Sequence, residues 1–247
     1  MANVSFEEFY YNEDDQIHDL YEIQKEYEKN NGNISKYRGH IFCPECKIAE
    51  LSFTHKTSIR RAFLSKIPSS DHAEYCSFKH DCATKSEIKQ FVRLLSDKQI
   101  QDRLEAALNQ LLPKKAKEGS GINNESKDNP LVIEVDNKKG SGVRKFIPRK
   151  SINTWFDKSE KNKIFIFYGH AKLETKEIAT KNGKRYELII KTNKQNEWIK
   201  KTSVFRGTTN DNIDTKKIYD IAILGIIEFY NDFPQIKTVT FSSIMFR

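Results

Sequence analysis

The apolar positions change period along the chain. Between residues 84 and 111 they recur every three to four positions. Ile88, Phe91, Val92 and Leu95 form one stripe, and Ile100, Leu104, Ala107, Leu108 and Leu111 a second. This spacing predicts two amphipathic helices whose stripes are core positions. Each opens with a capping box, Thr84-Lys85-Ser86-Glu87 and Ser96-Asp97-Lys98-Gln99, in which side chains satisfy the free N–H groups of the first turn. Pro113 follows the second. A looser helical spacing of Ile17, Leu20, Tyr21 and Tyr27 predicts an earlier helix, ended by Asn30, Asn31, Gly32 and Asn33.

Residues 163–247 read instead as strands and turns. Residues 164–168 and 171–175 make one long strand, kinked at Gly169. Asn182-Gly183 signals a hairpin, 186–190 is the returning strand, and 198–205 follows a turn at 193–196. After a polar stretch at 207–217 come two more strands, 219–230 with Gly225 at its middle and 235–246. Between the helices and these strands, residues 114–130 have no apolar period and read as a flexible linker. A short strand at 131–135 leads into a basic loop holding Lys138, Lys139, Arg144, Lys145, Arg149 and Lys150, where Gly-Ser-Gly and Pro148 argue against regular structure.

Charge sharpens this division. Residues 1–30 carry nine acids against two lysines, which leaves +15 on the rest of a chain whose formal charge is +8. A basic body favours a polyanionic partner, and nucleic acid is the commonest. The acidic, aromatic-rich segment 1–36 offers a surface for a protein partner. No stretch is long and apolar enough to span a membrane, and the N-terminus lacks the basic and apolar regions of a signal peptide. A cytoplasmic location is therefore expected, and no membrane partner. In that reducing setting four cysteines point to metal ligation before disulfides.

Cys43-Pro44-Glu45-Cys46 has the spacing that lets two thiolates reach one tetrahedral metal from a tight turn. His72-Ala73-Glu74-Tyr75-Cys76 supplies a second half-site, with the spacing of a single helical turn. Cys43, Cys46, His72 and Cys76 are the expected ligands of a zinc ion, with Cys82 and His80 as spare candidates. A closed four-ligand site is structural and leaves no coordination position for catalysis.

Two resemblances extend the reading. The run Gly39–Cys46, with His72 and Cys76 downstream, resembles the N-terminal zinc module of CoiA-type competence proteins over about 45 residues. Members of that family carry a nuclease-like domain, and Glu134-Val135-Asp136-Asn137-Lys138 is the fragment here that is similar to its acidic-lysine site. Residues 163–247 resemble an OB-fold in the order of their features. The fold class expected is thus α+β. A zinc-stabilised, mainly helical module (37–113) and a basic connecting segment (131–162) lead to a C-terminal five-stranded OB-like barrel (163–247).

OB-folds hold single strands on the face of strands two and three, where rings stack on bases and cations follow the phosphates. The residues expected to do so are Lys172, Lys184, Arg185, Lys191, Trp198, Lys200, Lys201 and Arg206. Strand alternation sets Tyr186 with Leu188 and Ile190 on the core side, which makes Trp198 the better stacking candidate. The expected function is non-catalytic binding of single-stranded DNA or RNA. An adaptor subunit is the alternative, with an apolar patch around Phe165, Phe167 and Phe233. A nuclease with carboxylates converging near Glu134 is the third reading.

Overall fold

Among the residues that the computed structural model describes (5–113, 129–136, 142–181 and 183–247), 44% lie in strands and 19% in helices. The protein is therefore mainly β, and the expected helical N-terminal module is absent. The expected linker lies outside the described residues except for Asn129 and Pro130, as do Lys138, Lys139 and the hairpin residue Asn182.

The chain divides into two units. The first takes the described residues up to Cys82, together with 129–132 and Arg144–Phe146. It is built from short strands: β1 (Ser5–Phe6), β2 (Glu8–Tyr11), β3 (Gln16–Asp19), β4 (Ile41–Phe42), β5 (Leu51–Thr54), β6 (Phe63–Lys66) and β7 (Asp81–Cys82), with one helix, α1 (Leu20–Lys29). They form two three-stranded sheets, β1-β6-β5 and β3-β2-β4, while β7 pairs in parallel with Lys145 and Phe146. Asp19 caps α1 by accepting from the Tyr21 N–H. The helix is therefore shorter than the spacing suggested, and Ile17 belongs to a strand. The acidic segment is thus built into this unit's framework and does not stand apart.

His18 joins the β2–β3 hairpin to α1. Its Nδ1 lies 2.8 Å from Glu22 and its Nε2 2.9 Å from Asp14. Burial works against the imidazolium, but the hydrogen bonds to Glu22 and Asp14 outweigh it and raise the His18 pKa above its ordinary value. The core below holds Phe6, Phe9, Ile23, Leu51 and Leu64 together with Cys43, Cys46 and Cys76.

The second unit takes the described residues from Ala83 to Pro113, 133–136, 142–143 and Ile147–Arg247. Its helices α2 (Lys85–Arg93) and α3 (Asp97–Leu111) both carry the expected capping boxes. They belong with the C-terminal sheet and not with the cysteines. Gln101 Nε2 on α3 donates to the Ser242 and Ile244 carbonyls, and Asn109 accepts from Arg247. The chain passes between the units at β8 (Val132–Asp136) and β9 (Gly142–Phe146), so the expected basic loop contains a regular strand.

A seven-stranded curled sheet forms the rest. It comprises β10 (Arg149–Ser151), β11 (Ile164–Thr180), β12 (Gly183–Lys194), β13 (Glu197–Gly207), β14 (Tyr219–Tyr230), β15 (Phe233–Thr238) and β16 (Ile244–Phe246). The order is β13-β12-β11-β14-β15, with β10 parallel to β11 and β16 beside β14. This half-barrel replaces the expected five-stranded barrel, because the last predicted strand breaks into β15 and β16 on one edge of β14.

β11 serves both halves. Ile164–Ala171 pairs with β14 and Lys172–Thr180 with β12, and Gly169, whose φ is +153°, lies just before the change of partner. Core side chains include Phe167, Leu173, Leu188, Ile190, Val204, Ile221 and Ile223.

Gly225 sets how closely β15 approaches β14. A Cβ there would lie 2.5 Å from the Ile236 Cγ2 and 3.1 Å from the Lys237 carbonyl oxygen. Gly225→Ala is expected to cost about 1–3 kcal/mol by overpacking. In a chain of this length that lowers a thermal midpoint by about 2–4 °C per kcal/mol. A melting curve that superimposes on the wild type would show that the two strands separate at no cost.

Candidate functional site

The four expected ligands converge. Their ligand atoms all lie within 4.8 Å of one another, and they are the only such group among the described residues. Cys43 Sγ stands 3.9 Å from Cys76 Sγ, and His72 Nδ1 stands 3.6 Å from Cys46 Sγ and 3.5 Å from Cys76 Sγ. Sulfurs at 3.9 Å are not bonded to each other, so the three buried cysteines are thiols or thiolates. The group is close enough to hold a metal ion.

The local backbone explains the convergence. β4 runs into a turn in which the Cys43 N–H donates to the Ala49 carbonyl at 2.7 Å and the Lys47 N–H to the Cys43 carbonyl at 2.9 Å. Lys47 adopts a φ of 57°, which folds the turn back toward β5 and points both sulfurs inward. The second half-site is a turn closed by the Cys76 N–H on the Ala73 carbonyl, leading into a 3-10 turn at Ser77–Lys79, where a helical turn was expected. The His72 ring is seated beside Phe6 and Phe78, at centroid distances of 6.1 and 5.8 Å.

Sequence reasoning missed Glu45, the residue between the two knuckle cysteines. Its carboxylate accepts from the Ser77 N–H at 2.6 Å, the Ser77 hydroxyl at 2.5 Å and the Asn129 amide at 2.7 Å. It therefore ties the first half-site to the second and to a segment more than 80 residues away. An acid placed between two thiolates was the available signal, since such a charge needs donors elsewhere.

Hydrogen bonds from Cys43 and Cys76 hold the Cys46 thiol far below its ordinary range, while Cys43, Cys46 and burial push Cys76 far above it. A bound cation would favour the thiolate form at each sulfur and release the protons that remain. Cys82 is exposed and neither it nor His80 joins the group. Burial and the nearby Arg144 and Lys79 charges lower the His80 pKa.

The second candidate is a face of the curled sheet. Cross-strand register sets Lys172 opposite Lys191 and Lys191 opposite Lys200, a row of three lysines across β11, β12 and β13. Asn193 opposite Trp198 comes next, and Lys172 Nζ lies 5.3 Å from the Trp198 ring centroid. Glu187 pairs with Lys176 on one side and Phe205 on the other, and Phe205 is 63% exposed. This face is opposite to that of the fully buried Leu188 and Ile190. It also carries acid: Glu174 binds Lys191 at 2.6 Å. At the hairpin end Lys184 pairs with Glu177 at 3.0 Å, and Arg185 donates to the Lys184 carbonyl.

Lys201 and Arg206 are not on this face. Register shifts skip both residues, one between Ile190 and Lys191 and the other between Tyr186 and Glu187, so β13 bulges at each. Lys201 donates to the Thr154 carbonyl at 2.6 Å and stands over Phe156. Arg206 is buried with Asp211 at 2.8 Å and donates to the Phe241 carbonyl.

Phe167 is fully buried in the core, with Phe165 packed on it, while Phe233 is half-buried with the Lys200 ammonium over its ring at 4.4 Å. Glu134 and Asp136 are exposed on β8 and join no group of metal-ligating side chains among the described residues. Among those residues no helix is long and apolar enough to cross a membrane. No family model matches the chain, and no curated protein or solved structure matches it.

Proposed function

We propose that the protein binds single-stranded nucleic acid on the β11–β13 face, and that a structural zinc ion stabilises its first unit. The observation that carries the binding reading is the Lys172–Lys191–Lys200 row beside Trp198. A row of cations follows a phosphate backbone, and a flat ring next to it stacks on an unpaired base.

The zinc assignment rests on the edges of the ligand group. Zinc at about 2.3 Å from sulfur and 2.0–2.1 Å from nitrogen implies tetrahedral edges of about 3.8 Å between sulfurs and 3.6 Å from sulfur to nitrogen. Three of the six edges are 3.9, 3.6 and 3.5 Å, and every pair lies within 4.8 Å. Zinc there would supply folding free energy, with all four positions filled by protein atoms. Reduced cysteines fit a cytoplasmic setting.

The test is anisotropy of a labelled single strand, titrated over a range of salt. Affinity should fall by about 0.7 logarithmic units per phosphate contact for each tenfold rise in salt. Lys200→Ala should flatten the slope by about one contact. Trp198→Ala should cost about 1–3 kcal/mol and leave the slope unchanged, because stacking releases no counterion. Absence of salt-sensitive binding at micromolar protein and low salt overturns the reading.

A further inference from the structure

The loop joining β5 to β6 is a second basic feature, within the first unit. Residues 51–70 contain Lys56, Arg60, Arg61 and Lys66 and no acid. The stem is firmly seated. Thr54 pairs with Phe63, the Lys56 N–H donates to the buried Gln24 side chain at 3.0 Å, and the His55 ring stacks on Tyr27 at 4.7 Å with planes 7° apart. Across the tip, the Thr57 N–H donates to the Arg60 carbonyl at 2.8 Å and the Arg60 N–H to the Thr57 hydroxyl at 3.1 Å. At the apex, where polar turn residues are usual, stands Ile59, 96% exposed. The Arg60 guanidinium is laid over the Phe63 ring at 4.8 Å.

We propose that this hairpin tip is a wedge for base-paired nucleic acid, with Ile59 entering a base step and Lys56 and Arg60 on the flanking phosphates. A branched aliphatic side chain has no flat face on which a base can stack. Its use against nucleic acid is to force stacked base pairs apart, as apolar wedges between basic contacts do. The fixed stem supplies the stiffness that insertion needs. The inference rests on the reading of the partner as nucleic acid, and it adds a base-paired stretch, bound by the first unit, to the single strand bound by the second.

The experiment uses the full chain with three probes: a single strand, a blunt duplex, and a duplex with a single-stranded tail carrying 2-aminopurine at the junction. The tailed duplex should bind most tightly, and binding should raise the 2-aminopurine fluorescence as the junction unstacks. Ile59→Ser should remove that rise and lower affinity for the tailed duplex by about ten- to a hundredfold, the worth of one buried apolar side chain. It should leave single-strand affinity unchanged, and amide protection of the first unit should match the wild type, which shows that the hairpin's framework is folded. Lys56→Ala with Arg60→Ala should flatten the salt slope on the tailed duplex by about two contacts. Single-strand binding with no preference for the tailed duplex, or an unchanged fluorescence rise in Ile59→Ser, overturns the wedge alone. Failure to bind the single strand overturns the reading of the sheet face.

Discussion

Replacing Cys43 with serine is expected to abolish metal retention and unfold the first unit while the second stays folded. Cys43 is fully buried and belongs, with Cys46, His72 and Cys76, to the group close enough to hold a metal ion. Serine is a poor ligand at neutral pH and would leave a buried hydroxyl beside sulfurs. Structural zinc contributes about 10–16 kcal/mol of apparent binding free energy in small zinc domains. That matches or exceeds the whole stability of a typical domain, about 5–15 kcal/mol.

The first unit has little to offset such a loss. Its strands are two to four residues long, and the cysteines themselves belong to its core. The two units can be read separately, because both tryptophans, Trp155 and Trp198, lie in the second. Elemental analysis should find about one zinc in the wild type and none in Cys43→Ser. Amide exchange in the first unit should accelerate to unfolded rates while tryptophan fluorescence holds its native spectrum. A chelated protein that keeps its amide protection there would show that the metal site contributes no folding energy.

Features carried by local chemistry were legible in the sequence. Both capping boxes and the long strand through Gly169 are where the sequence reading places them, and the ligand set from two half-sites converges. Each depends on residues within a few positions of one another. What failed to show depends on distant partners. β1, β4 and β7 are two residues long, too short to have a period, and long-range pairing alone defines them. The grouping of α2 and α3 with the C-terminal sheet was equally hidden, since an amphipathic stripe shows that a helix is buried but not against what. Asn129, which helps Glu45 tie the half-sites together, sits at the far end of the expected linker. Lys201 and Arg206 were set on the binding face only because they belong to the same strand as Trp198 and Lys200, but β13 bulges at both residues and re-aims their side chains without a mark in the sequence.

Arg206 yields the sharpest consequence of that shift. Its side chain is 7% exposed and that of Asp211 8%, and two hydrogen bonds of 2.8 and 3.2 Å join them. The guanidinium also lies over Phe241 at 4.6 Å and reaches its carbonyl. Arg206→Ala would leave the Asp211 carboxylate buried with no cation. Removing one partner of a buried pair costs about 3–5 kcal/mol. At about 2–4 °C per kcal/mol the thermal midpoint of the second unit should fall by roughly 6–20 °C. If Arg206 instead contacted phosphate, the variant would keep its midpoint and lose salt-dependent affinity, as Lys200→Ala should. The double variant Arg206→Met with Asp211→Leu separates the two roles, because replacing both charges with apolar groups of similar volume leaves no unpaired ion. It should recover most of the lost midpoint and bind the single strand with a wild-type salt slope. A double variant no more stable than Arg206→Ala would mean that the arginine acts through Phe241 and its carbonyl, not through the ion pair.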